Sequence, residues 1–292
     1  SLRRQRQMCI RDRYKDIGSI DVNPANGELY LKEMNRQQIH VYSLDGKFKH
    51  SFTFPEGKRM SRMCLFSPDY LIAEQESKVP DDQDANFYPY LLVSTRDGHL
   101  DSLDYVQKRN ILVKLIVNAE NHSYAYLLEP SLIRNGSRFY IGNPDSDTLF
   151  AMNPDRTLEP LLVRTPSHSE EGNKYGLFLR GAAGAYFFLT KQPMEVPMNS
   201  IESLDLKSEE WLYDCRTQEV CRYLLKNKDD ASKRVEGIMF FCYPEDCGLA
   251  VLKSEDLMDA YEAGQLSGEL KEIAAGLKAD DNPVLMLIHF KK

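Results

Sequence analysis

Between Ile17 and Phe54 the chain runs through four short stretches of alternating apolar and polar residues, and hairpin-type turns join them. The stretches are Ile17–Val22, Glu28–Lys32, Gln38–Ser43 and Phe48–Phe54. The first turn ends in Asn26-Gly27 and the last is Asp45-Gly46. Such dipeptides tolerate the positive φ of tight β-hairpins, so the segment reads as a four-stranded antiparallel meander. The last hairpin recurs down the chain. Tyr90–Ser94 leads into Asp97-Gly98 and Leu100, Asp147–Met152 into Pro154-Asp155-Arg156 and Leu158, and Trp211–Asp214 through Arg216–Glu219 into Val220–Leu225. A four-stranded unit repeated in series reads as a β-propeller, whose blades bury their faces only on one another.

The pattern predicts an all-β fold of about five blades, near 14–54, 59–105, 111–165, 170–226 and 234–292, from a six-bladed type of propeller. A short helical insertion is expected near the C-terminus. Ser254 is read as the cap of a helix through Leu257, Met258 and Tyr261. Ser267 starts a second helix, whose Leu270, Ile273, Ala274 and Leu277 form a stripe facing the sheet. The repeat exceeds the roughly 40–50 residues of common propeller blades. The extra length falls in connections between second and third strands, short at Glu33–Gln37 and long at Gln75–Phe87 and Lys191–Glu209.

Residues 1–13 are set apart from the fold. Arg3 to Arg13, RRQRQMCIRDR, resembles the in-frame translation of a transposon adapter used in sequencing libraries, so native sequence is expected from about Tyr14. The competing reading is a basic arm for nucleic acid or anionic lipid. The prefix holds five Arg and one Asp, so the net charge of −7 becomes −11 without it. An acidic body argues against nucleic acid as a partner, because phosphate-backbone binding needs a basic face. With 42% hydrophobic and 28% charged residues, the chain has the composition of a globular protein.

Three segments, NGELYLKEMNRQQIHVYSLDGKFKHSF, GNPDSDTLFAMNPDRTLEPLL and SGELKEIAAGLKADDNPVLMLIHFKK, carry a resemblance to the NHL-like six-bladed β-propeller family of Bacteroides-type bacteria. The resemblance spans 14–292. It implies an exported lipoprotein of the periplasm or outer-membrane surface, truncated at its N-terminus so that a signal peptide, a lipid-carrying Cys and a first blade are missing. Membrane attachment is then expected only through that anchor.

Long connections on a rigid scaffold are where binding surfaces are commonly built. The expected partner-facing end is therefore the one carrying the strand-two-to-three connections, with Asn35, Arg36, Glu74, Asn143, Asp145 and Asp147 as candidate binding residues for a protein or glycan. Glu74, Glu76, Asp81, Asp82 and Asp84 could offer oxygens to Ca2+, but no EF-hand spacing supports it, so no cofactor or metal ligand is assigned. Asp145 and Asp147 also suit side-chain turn hydrogen bonds. The chain lacks a Gly-x-Ser-x-Gly elbow, a His-Glu-x-x-His motif and a phosphate-cradling loop, so no catalytic residue is assigned. His40 and His289 fall within strand patterns and read as sheet residues. Two cysteine pairs flank turns and suggest disulfides, Cys242 with Cys247 and Cys215 with Cys221. Their alternative is reduced thiols acting as small strand residues. Trp211 reads as core. The functional expectation is a non-catalytic binding or scaffolding propeller of the cell envelope. The alternative is a metal-dependent lactonase- or hydrolase-type propeller with a central-channel site.

Overall fold

The structure is a computed structural model that describes residues 16–56, 58–75, 88–103, 112–118, 123–128, 132–144, 146–172, 174–197, 208–230, 235, 238–240, 246–278 and 280–290. It is all-β, built of blade-like antiparallel sheets with two short helices near the C-terminus. The chain divides into two compact units, residues 1–112 and 113–292.

The first unit holds two four-stranded blades. One is β1 (Ile17–Asn23), β2 (Glu28–Glu33), β3 (Gln38–Ser43) and β4 (Phe48–Thr53); the other is β5 (Met60–Ser67), β6 (Tyr70–Gln75), β7 (Tyr90–Ser94) and β8 (Leu100–Ser102). Each strand pairs with its sequence neighbour, as hairpin chemistry requires. Side chains alternate across a strand, so Tyr30, Ile39 and Val41 of the first blade all reach Met63, Leu65, Leu71, Leu91 and Val93 of the second in one buried cluster. The two inner strands run side by side, and the Asp21 carboxylate on β1 accepts the Leu65 N–H on β5 at 2.5 Å. The opposite face of the first blade leaves Ile20, Val22 and Phe48 exposed.

The second unit opens on a hairpin the sequence pattern did not reveal, β9 (Leu112–Asn118) and β10 (Ser123–Leu128). A blade follows, β11 (Leu132–Asn135), β12 (Arg138–Ile141), β13 (Thr148–Met152) and β14 (Leu158–Val163). The next is β15 (Tyr175–Ala183), β16 (Tyr186–Pro193), β18 (Glu209–Asp214) and β19 (Glu219–Arg222). Between β16 and β18 the chain contributes β17 (Glu195–Pro197), which pairs in parallel with β9, Val196 opposite Leu115. Part of the long connection thus forms sheet, which alternation cannot foretell because its partner lies far away in sequence. Ile133, Tyr140 and Leu149 pack on Leu179, Phe187 and Leu189, with Trp211 partly buried against them.

The last sheet is β20 (Met239–Phe240), β21 (Cys247–Leu252) and β22 (Val284–His289). Helices α1 (Ser254–Glu262) and α2 (Gly268–Ala275) lie between β21 and β22. Leu257, Ala260, Leu270 and Ala274 pack with Leu252, Leu277 and Val284, whereas Ile273 of the expected stripe is exposed. Ser254 does not cap α1: the N-cap is Lys253, and the Ser254 hydroxyl lies 2.9 Å from the Asp281 carbonyl and 3.0 Å from that of Asn282. Closing the long connection to β22 claimed its hydrogen-bonding capacity first.

The recurring outer turn places one residue in the left-handed region in each of four blades. Its left-handed position holds Gly46, Gly98, Arg156 and Gln218, with φ of 83°, 76°, 73° and 59°. Three of these turns are locked by an Asp that accepts the N–H two residues on: Asp97 from His99, Asp155 from Thr157 and Asp214 from Arg216. Asp45 instead accepts the Ser43 hydroxyl and pairs with Lys47 at 2.7 Å. These bonds favour the ionised carboxylate. Asp45 is held down to about 2 by its bond from Lys47, and Asp214 to about 2 by its bond from Arg216.

Two predictions follow from the turns. A non-glycine residue in the left-handed region costs about 1 kcal/mol or more, partly offset by the chain entropy glycine would add. Gln218→Gly is expected to stabilise the chain by roughly 0.5 kcal/mol, and Gly46→Ala to destabilise it by about 1 kcal/mol, both read by urea unfolding. Because folding depresses the Asp45 and Asp214 values, their stabilisation is present above the ordinary 3.8 and is lost as pH falls through about 2. Thermal midpoints should therefore drop across that window, and less steeply in an Asp45→Asn, Asp214→Asn double variant.

Candidate functional site

The β1–β2, β3–β4, β5–β6 and β7–β8 turns emerge at one end of the first unit's blades. A cleft of about 520 Å³ opens there, lined by Asn26, Glu28, His50, Asp69, Tyr70, Thr95 and Arg96. Its floor is built by hydrogen bonds that the turn sequences make unavoidable. Ser67-Pro68-Asp69 has no glycine, and the carbonyl of Pro68 projects from the turn. It accepts Asn23 Nδ2 and Asn26 Nδ2, each at 2.9 Å, and the Thr95 hydroxyl at 3.2 Å. Three turns are thereby tied to one oxygen.

Glu28 is buried at the first position of β2. Its carboxylate accepts the Tyr30 hydroxyl at 2.5 Å and pairs with Lys49. Burial opposes its ionisation, but the bonds from Lys49 and Tyr30 outweigh it and leave its pKa below the ordinary 4.5. Tyr30 moves the other way, pushed up to about 12 by burial and then by its bond to Glu28. The floor is thus a fixed negative charge with a fixed neutral phenol. His50 Nε2 is buried on the wall with no hydrogen bond among the described residues. Asp69 and Arg96 stand exposed at the rim. The cleft presents donors, acceptors and one aromatic ring, and no nucleophilic thiol lines it.

The residues singled out in sequence lie elsewhere. Asn35 and Arg36 occupy the β2–β3 turn at the other end of the first blade, with Asn35 Nδ2 3.3 Å from Asp16 and Arg36 Nε 3.7 Å from the buried Glu33. Glu74 is buried near the end of β6. In the second unit, Asn143 and Asp147 border a space of only about 10 Å³, room for one water at most. Asp147 also braces the following loop, accepting the His168 N–H at 2.6 Å and facing Arg164 at 3.8 Å. Asp145, Glu76, Asp81, Asp82 and Asp84 lie outside the described residues, as does the prefix 1–13.

The expected Cys215–Cys221 disulfide needs correction, because both are unbridged thiols, while Cys242, and with it the expected pairing to Cys247, lies outside the described residues. Cys221 pairs across the ladder with Leu212, whereas Cys215 has passed beyond the last pair, Asp214 with Glu219, so the turn does not bring the two sulfurs face to face.

The cleft residues were missed because each is an unremarkable turn or strand residue on its own. The available signal was the cluster of Asn, Asp and Thr in successive turns at one end. No curated protein is detectably similar to the chain in sequence. Among solved structures it resembles a Bacteroides fragilis protein described as exported, with a TM-score of 0.61 and 13% identity over 96% of this chain and 78% of that one. A Bacteroides vulgatus member of the DUF4221 family gives a TM-score of 0.48 and 8% identity over 94% and 79%. A Bacteroides caccae protein of unknown function gives 0.40 and 9% over 94% and 77%. The first of these shows a shared fold. Over residues 12–289 the chain matches a family model described as "Domain of unknown function (DUF4934)", and it belongs to that family.

Proposed function

We propose that this is a non-catalytic binding module of the bacterial cell envelope, a six-bladed NHL-like propeller type that takes a polyhydroxylated ligand, a glycan fragment, in the first-unit cleft. The observation that carries the reading is a pre-formed polar cleft of about 520 Å³ on whose lining Asn26, Glu28, His50, Asp69, Thr95 and Arg96 converge. Arg96 and Asp69 at the rim offer a donor and an acceptor, and Tyr70 an apolar ring. The volume suits a ligand of a few sugar rings. Export is supported by the description of the Bacteroides fragilis protein. No described helix is long and apolar enough to cross a membrane.

The test is a glycan array with the full chain, followed by calorimetric titration of the hits. Losing one hydrogen bond to a charged group costs about 1.5–3 kcal/mol, so Arg96→Ala is expected to weaken binding roughly 10- to 100-fold. His50→Ala should weaken it by a smaller factor. Arg36→Ala, at the opposite end, should leave affinity unchanged. Loss of affinity in Arg36→Ala, with none in Arg96→Ala, would move the site to the end carrying the long connections.

A further inference from the structure

One cluster in the second unit stands apart from the cleft. β21 and β22 pair with Cys247 directly opposite His289. Directly paired residues share a face of the sheet, and Cys247 Sγ lies 3.1 Å from His289 Nδ1. Asp246, the residue before β21, is held by the bond from the Phe290 N–H to its carbonyl at 2.8 Å. Its side chain turns back, bringing Oδ1 to 3.7 Å from the same sulfur. The three potential ligand atoms lie within 4.8 Å of one another. Cys247 is fully buried, while His289 is exposed and opens the cluster to solvent.

The arrangement separates two chemistries. In a Cys-His-Asp relay the imidazole stands between the thiol and the carboxylate, each bonded to a different ring nitrogen. Here the sulfur is in the middle, approached by both imidazole and carboxylate. In that geometry the carboxylate does not orient the imidazole, as a relay requires. Convergence of one sulfur, one nitrogen and one oxygen is instead the geometry of a coordination sphere. Around a tetrahedral zinc ion, bonds of 2.0–2.3 Å set neighbouring ligand atoms roughly 3.3–3.8 Å apart. The sulfur–nitrogen and sulfur–oxygen separations of 3.1 and 3.7 Å need little adjustment to reach it.

We propose that Asp246, Cys247 and His289 form a binding site for a divalent transition metal of the zinc type. On binding, the Cys247 sulfhydryl gives its proton to solvent, and Sγ, His289 Nδ1 and an Asp246 oxygen become ligands. The fourth position is left to water or an exogenous ligand on the exposed His289 side. Mixed thiolate, imidazole and carboxylate donors suit zinc or cobalt, and not calcium or magnesium.

The test uses the full chain, freed of metal with a chelator and titrated with cobalt(II), then zinc(II). The expected result is a thiolate-to-cobalt charge-transfer band and tetrahedral d–d bands saturating at one equivalent, bleached by zinc. Zinc should also raise the thermal midpoint. Cys247→Ala should abolish the bands. His289→Ala, at an exposed position, should remain folded by circular dichroism and lose the zinc-induced thermal shift. Asp246→Asn should weaken cobalt binding about tenfold. Absence of a thiolate–cobalt band in the parent chain would overturn the proposal. So would a band that survives Cys247→Ala, since Cys64, Cys215 or Cys221 would then be its source.

Discussion

Everything in this chain depends on sheet faces being buried against other sheet faces. A blade of six-residue strands has apolar side chains on both sides and cannot hide them by itself. In the first unit Tyr30, Ile39 and Val41 of one blade are sealed against Met63, Leu71, Leu91 and Val93 of the next. Each large apolar side chain fully removed from water contributes about 1.5–3 kcal/mol. Side chains alternate with a period of two, so a one-residue slip would turn this whole set to solvent. Packing therefore dictates register, and register dictates where each turn must fall. The left-handed backbone at Arg156 and Gln218 follows: the turn must close there even though no glycine is present.

The same constraint shapes the polar ends of the blades. Once the strands are fixed, their turns come together at one end of the first unit, and their unpaired backbone groups must find partners there. The Pro68 carbonyl gathers Asn23, Asn26 and Thr95, and the Glu28 carboxylate pairs with Lys49 and accepts the Tyr30 hydroxyl. A rigid polar surface results, with little freedom left to reorganise when a ligand arrives. His50 is where this accounting stays incomplete, with its Nε2 buried and unmatched. In the second unit the equivalent demand is met internally: Asp147, Arg164, Glu171 and Lys191 engage one another, and the space beside Asn143 closes.

Much of the architecture was legible from residue order. Strand alternation and the Asp-containing hairpins mark the blades, and of the expected stripe Leu270 and Ala274 mark the face of α2 that packs, while Ile273 is exposed. The candidate sites were less legible. Acidic and amide residues in a connection look alike whether they meet a ligand or brace a loop. Asp147 braces one, and nothing in Asp-Ser-Asp-Thr says so. The thiols show the same limit. A turn of suitable length between two cysteines suggests a bridge, but in the β18–β19 ladder Cys221 faces Leu212.

What the sequence by itself determined are the local features: strands, turns, the two helices and their apolar faces. Each rests on periodicity or on the backbone preference of a few adjacent residues. The tertiary structure alone decided the contacts between residues far apart in the chain. It set β17 beside β9, drew Ser254 to the carbonyls at Asp281 and Asn282, and placed Cys247 opposite His289. It also assembled the first-unit cleft from three separate turns and three strands. Those contacts depend on which strand lies next to which, and in what register. That choice is made by the burial of whole faces, and no short stretch of sequence carries it.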